Sequence, residues 1–271
     1  MKNPTGSLCI ILLILSFAGA AVAAPVDLNT WTAESYPAVS GFGAGVWTVS
    51  GGGSEVSQTV NGQPTFFYSD FNSFGTLAQG SITVSGGDDD YIGFALGFQP
   101  NTTTNATADY LLVDWKQGNQ FFDFGSPSTT PGSTAHQGLA VSRVTGIPTA
   151  DEFWGHVNFA GNPGGGLEEI ARANTLGNTG WNANTPYTFG FDFGPNNLDV
   201  YVDGILELSI GGVFSDGRLA FYNFSQAGVT YAAFTLDDGS HPTPVPEPAT
   251  MLLFGTGLLG LAGAGRKKFV K

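Results

Sequence analysis

Between Leu198 and Ile210 apolar and polar positions alternate, with Leu198, Val200 and Val202 in one phase and Asp199, Tyr201 and Asp203 in the other. A period of two marks a strand with one buried and one wet face. Asp203-Gly204 supplies a two-residue turn before a second apolar run, so this segment predicts a β-hairpin. YIGFALGF from Tyr91, DYLLVDW from Asp109, NTPYTFGFDF from Asn184 and RLAFYNF from Arg218 are more continuously apolar, as strands covered on both faces are. Gly, Asn, Asp and Pro interrupt the chain about every ten residues, the rhythm of an all-β sandwich. Only GGGLEEIARANTLG, through Leu167, Ile170 and Ala171, carries helical spacing. With no internal repeat and no linker-like stretch, residues 25–240 are expected to form one sandwich of two antiparallel sheets.

The two ends follow a different pattern. Met1 to Ala24 combines Lys2, an apolar run from Leu8 to Ala18 and the small-residue stretch AGAAVAA, the parts of a secretory signal peptide over 1–24. The run is shorter than the roughly 20 residues a spanning helix needs. Cys9, the single cysteine, lies within it, so a processed chain holds no thiol for disulfide, zinc or nucleophile. At the other end, residues 241–271 hold a Pro-rich spacer, an apolar segment at 249–265, and a basic tail of Arg266, Lys267, Lys268 and Lys271. This order resembles a PEP-CTERM sorting signal. The resemblance implies processing by an exosortase-type enzyme at Pro246, Glu247 and Pro248, a transmembrane helix that holds the chain in the membrane beforehand, and export to the surface or matrix of a bacterium. GTGLLG at 255–260 fits a dinucleotide-binding pattern, but no strand precedes it and it is discounted.

Charge narrows the partners. Of the 22 acidic residues all but Glu247 lie between Pro25 and Pro246, where Lys116, Arg143, Arg172 and Arg218 are the only bases, a formal net of −17. Such a surface repels a phosphate backbone, so no nucleic acid is expected.

A longer resemblance emerges from the motifs in chain order: DDDYIGFALGFQ from Asp88, DYLLVDWKQ from Asp109, GLAVSRVTG from Gly138, NTGW from Asn178, LDVYVDG from Leu198, and GGVFSDGRLAFYNFSQAGVTYAAFTL from Gly211. The last contains Gly217, Arg218, Leu219, Phe224, Ser225 and Gln226 at specific spacing. Over residues 70–236 the sequence is similar to the C-terminal lectin-like domain of thrombospondins. That resemblance implies a concanavalin A-like jelly roll that binds Ca²⁺ and serves adhesion or matrix contacts outside cells, with residues 25–69 supplying the first strands. The family's calcium-wire repeats are absent. Its receptor-binding VVM segments are replaced by LLVD near Leu111 and DVYV near Asp199, and NTLGNTGW lacks the His-Asp pair that precedes GW.

Asp88, Asp89 and Asp90 are the densest acidic cluster, and a hard, oxygen-liganded cation such as Ca²⁺ would relieve their repulsion. If they lie on a strand, Asp88 and Asp90 share a face. Asp151-Glu152, Glu168-Glu169 and Asp237-Asp238 read as solvated surface, as do the scattered His136, His156 and His241. No E-x-D-x-x-E strand and no G-x-S-x-G elbow occurs, so no enzyme is expected. Trp115 belongs in the core, whereas Trp154 and Trp181, among turn residues, are the candidates for stacking on sugar rings. The sequence thus points to a secreted or surface-anchored calcium-binding adhesion module contacting extracellular polysaccharide or protein. The alternatives are a polysaccharide-active enzyme on the same fold and a purely structural envelope protein.

Overall fold

The computed structural model describes residues 23–160, 162 and 164–237. The expected signal peptide up to residue 22, the Pro-rich spacer, Pro246-Glu247-Pro248 and the helix at 249–265 lie outside the described residues. Among those described, no helix is long and apolar enough to cross a membrane.

Two antiparallel sheets stack face to face in a jelly-roll sandwich. One runs β15 (Ile205–Gly211), β14 (Asn197–Val202), β13 (Tyr187–Phe193), β6 (Thr76–Val84), β17 (Val229–Asp237), β4 (Glu55–Gln58) and β3 (Trp47–Ser50), with the short β1 (Ala24–Pro25) also on β17. The other runs β12 (Gly165–Arg172), β11 (Gly138–Gly146), β8 (Asp109–Lys116), β7 (Tyr91–Phe98), β16 (Arg218–Phe224), β5 (Thr65–Asn72) and β2 (Thr32–Ser35). Between them lies an aromatic core in which Phe221 stacks on Tyr231 at 4.4 Å and Phe94 packs against Phe189, Phe191 and Phe234. Gly80 on β6 makes room for this: a Cβ there would sit 2.3 Å from the Phe234 ring.

The two sheets differ in what covers their outer faces. The seven-stranded sheet carries a second apolar layer, formed by the hairpin β9 (Gln120–Phe122) and β10 (Ser133–Ala135) with the helix α1 (Ala150–Gly155). Phe124, Phe153 and Trp154 from this cover pack on Phe66, Tyr91, Tyr222 and Phe224. β7 is consequently buried at all its positions. Among the described residues the eight-stranded sheet has no such cover, and its strand β13 alternates, with Phe189, Phe191 and Phe193 inward and Thr188, Gly190 and Asp192 outward. The predicted β14–β15 hairpin is present, and Asp203 (φ 49°) and Gly204 (φ 78°) both take the left-handed conformation its two-residue turn demands.

The segment with helical spacing is instead the edge strand β12, paired antiparallel with β11 with a register shift between Val141 and Ser142. Three consecutive glycines, Gly164 to Gly166, oppose helix nucleation, and Gly165 adopts φ 150° with no room for a side chain beside Thr145 O. The helix forms at ADEFWG, where the Thr149 hydroxyl accepts from Glu152 N and the Glu152 carboxylate accepts from Thr149 N.

Candidate functional site

Asp88, Asp89 and Asp90 precede β7 rather than forming part of it, so the period-two assignment of faces does not apply. Their carboxylates lie within 4.8 Å of one another. A cation is already among them: the fully buried Lys116 ammonium, from the end of β8, donates to Asp90 Oδ1 at 2.7 Å, Asp89 O at 2.8 Å, and Asp89 Oδ1 and Gln120 Oε1 at 3.3 Å. It also lies 5.0 Å from the Trp154 ring centroid, a cation–π contact. Burial pushes the Asp90 carboxyl up to about 6, against the opposing pull of Lys116. Asp90 is 3% exposed and committed to this pair, whereas the Asp89 side chain is 45% exposed. Asp88 accepts from Asn61 Nδ2 at 2.5 Å. The donor set is all oxygen and suits a hard cation, with Asp88 and Asp89 as the groups that would hold it and Asp90 as the counter-charge of Lys116.

Trp154 and Trp181 do not offer rings to a sugar, because each is only 1% exposed. Trp181 Nε1 donates to Asp90 O, Trp154 Nε1 donates to Gln120 O, and Tyr91 OH donates to Trp154 O. Their indoles close the rim from beneath. Trp115 is buried as expected.

Sequence reasoning also placed several buried carboxylates on the surface. Asp151 and Glu152 are wholly buried: Asp151 accepts from Phe124 N and Thr130 Oγ1, and Glu152 accepts from Phe159 N and Asn162 Nδ2 besides capping α1. His156, in the left-handed cap of α1, sits 3.0 Å from Asp114 Oδ2 and 3.6 Å from Glu169 Oε2, and Arg172 grips Glu169 with two bonds of 2.9 Å. Burial alone would lower the His156 pKa, but Asp114 and Glu169 carry it up to about 9. Burial raises Asp114, while His156 and Arg172 hold Glu169 down at about 2. This network fastens the cover to the seven-stranded sheet.

The open surface is elsewhere. A trough of about 410 Å³ crosses the outer face of the eight-stranded sheet, lined by Leu77, Gln79, Thr188, Gly190, Asp192, Tyr201 and Gly204. A hollow of about 260 Å³ continues it past Leu77 and Asp192 to Gly75, Pro195 and Asn197. Register explains the shape. Gln79, Gly190 and Tyr201 form one row across three strands, so the missing side chain at Gly190 leaves a floor beside the Tyr201 ring. The next row holds Leu77, Asp192 and Asp199. A half-exposed aromatic ring flanked by amide, hydroxyl and carboxylate groups is equipped to stack on a sugar and hydrogen-bond its hydroxyls. The one signal of this site in the sequence is a tyrosine, Tyr201, occupying the polar phase of β14.

A family model described as the thrombospondin C-terminal region matches residues 43–237. The chain belongs to this family. Residues 244–267 match the PEP-CTERM protein-sorting motif. Human Thrombospondin-2 is 26% identical over 196 residues, 69% of this chain but 16% of the human protein. Danio rerio Thrombospondin-3b is 27% identical over 199 residues, 69% of this chain and 20% of its own length. The chain therefore spans a fifth or less of the curated relatives it matches. Solved structures of similar shape include the carbohydrate binding module CBM66 from Bacillus subtilis (12% identity, 77% of this chain and 95% of the other, TM-score 0.48). Another is a glycoside hydrolase family 16 endo-glucanase from Bacteroides ovatus (11% identity, 78% and 98%, TM-score 0.43). A thrombospondin C-terminal region joined to a sorting motif makes this an exported, lectin-like module.

Four of the motifs that carry the thrombospondin resemblance meet at one place. DDDY supplies Asp88 to Asp90, WKQ supplies Lys116 and Gln117, NTGW supplies Trp181, and FSQ supplies Gln226, whose Oε1 accepts from Asp90 N. Gln117 in turn donates to Trp181 O, and Trp115 Nε1 to Thr179 O. In this thrombospondin C-terminal region the signature is thus the means of tying three loops around a buried ammonium.

Proposed function

We propose that this protein is an exported matrix module that holds extracellular polysaccharide by non-covalent contact in the trough of the eight-stranded sheet, with Ca²⁺ bound by Asp88 and Asp89 at the rim. The observation that carries this reading is the Tyr201 ring beside the open floor at Gly190, bordered by Gln79, Thr188 and Asp192. Adhesion between cells or to matrix follows from such binding in a protein delivered by a sorting signal to the surface, where an exosortase-type enzyme acts on it.

Asp192 and Asp199 give the rival reading, a polysaccharide-active enzyme, its best carboxylate pair. They face outward side by side from neighbouring strands of one sheet. A glycosidase needs its two carboxyls on either side of the scissile bond. Binding without turnover is therefore the reading adopted. Incubating the purified protein with a panel of polysaccharides tests it: retention with unchanged chain length supports a binding module, and shortening of the chains supports the enzyme.

A further inference from the structure

Register gives the trough a direction. The outward positions of β13 carry short side chains, Thr188, Gly190 and Asp192, and Gly194 continues the series beyond Phe193. The flanking strands carry longer ones: Leu77 and Gln79 on β6, opposite Asp192 and Gly190, and Tyr201 on β14, opposite Gly190. β13 is therefore a floor between two walls, and because Leu77 and Asp192 border both hollows, the two form one channel along that strand. From Thr188 to Gly194 the strand advances about 20 Å, and the walls stand two strand spacings apart, about 10 Å. Each end is marked by a glycine, Gly204 at one and Gly75 at the other, and a Cβ built on either would meet nothing within 4 Å. Neither residue can close its end.

We infer that the channel takes an internal stretch of a linear, extended glycan, about four pyranose rings end to end along β13, of the ribbon-like β-linked kind rather than the coiled α-linked kind. The inference rests on the trough being the polysaccharide site and adds the shape and length of the ligand. A straight channel one ring wide accepts a chain whose successive rings continue in line, whereas a chain that turns at each linkage leaves it after a ring or two. Tyr201 stands beside Gly190, near the Gly204 end, so it holds the first rings, and the hollow toward Gly75 and Asn197 adds the rings beyond them. Glycine at both ends lets the polymer run on past the site, so neither chain terminus is needed for recognition.

Calorimetric titration of the full-length protein decides this, with β-linked oligomers of glucose, of mannose and of N-acetylglucosamine from two to six residues, the same oligomers blocked at the reducing end, and an α-1,4-linked glucose hexamer. The expected result is affinity for at least one β-linked series that rises about tenfold from two residues to four and then levels off, is unchanged by the block, and exceeds that for the α-linked hexamer about tenfold. Tyr201→Ala should weaken every length about tenfold, whereas Asn197→Trp, which fills the far hollow, should leave dimers alone and reduce four-residue binding to the dimer level. Thermal melting of each variant verifies folding. Tyr201-dependent binding that is the same for dimers and tetramers, or tighter for the α-linked hexamer, overturns the extended-chain inference and leaves the trough in place. Loss of affinity on blocking the end overturns the internal mode. Binding that ignores Tyr201, or none by any oligomer, overturns the trough itself.

Discussion

Lys116 shows how one side chain organises a rim. A bare ammonium is costly to bury, and here its cost is offset by two carboxylates, a carbonyl, an amide oxygen and an indole face. Removing it strands Asp90 in a site with little water. Lys116→Met is therefore expected to lose about 3–5 kcal/mol in urea unfolding, and the double variant with Asp90→Asn to recover part of that loss. His156 makes a pH prediction at the same scale. Facing it are Asp114 from β8, Glu169 and Arg172 from β12, and the Tyr91 ring from β7, 5.2 Å away. Its folded pKa, about 9, lies above the ordinary 6.5, so its contribution is complete below about 6.5 and fades as pH rises through 9. Melting temperature against pH should fall through that window in the native protein, and the step should vanish in His156→Gln. Glu169 acts in the opposite sense: held near 2, it contributes above its ordinary 4.5 and is lost only in strong acid.

Among the elements, close approach of backbones matters as much as charge. Gly180 of the NTGW motif passes so near β8 that a Cβ would lie 2.0 Å from Gln117 O. Gly180→Ala must push the Trp181 loop off the rim, and chemical denaturation should register a loss of about 1–3 kcal/mol. The proposed Ca²⁺ would act on the same loops. Because a ligand that binds only the folded state raises the melting temperature, Ca²⁺ should stabilise the native protein, and Asp89→Ala should abolish the response. An identical melting curve with calcium and with chelator would remove the metal from the account. The strands were legible in the sequence because alternation and turn residues are local signals, as at Asp203-Gly204. Three features were not. The cover on the seven-stranded sheet joins segments distant in sequence, so Trp154, Asp151 and Glu152 looked exposed among turn residues while being wholly enclosed. The β12 edge carried helical spacing that its glycines and its pairing with β11 override. Lys116 became readable as a counter-ion only when β8 was placed beside the aspartates.

For the whole molecule, the two sheets divide the labour. The seven-stranded sheet is buried on both faces along β7 and nearly all of β8, and carries every Lys and Arg of the described residues, their ion pairs and the cover. Among the described residues the eight-stranded sheet is left uncovered and grooved on its outer face, the surface proposed to meet polysaccharide. Jelly-roll topology gathers DDDY, WKQ, NTGW and FSQ at one rim and leaves LDVYVDG, with Tyr201, in the trough, so loss of the proposed calcium and loss of Tyr201 should be separable in effect. The most direct test compares the native protein with Tyr201→Ala for retention on a polysaccharide panel while polymer length is followed by size-exclusion chromatography. Retention by the native protein, about tenfold weaker retention by a folded Tyr201→Ala, and no change in polymer length are expected. Equal retention by both proteins, or steady shortening of the polymer, would contradict that expectation.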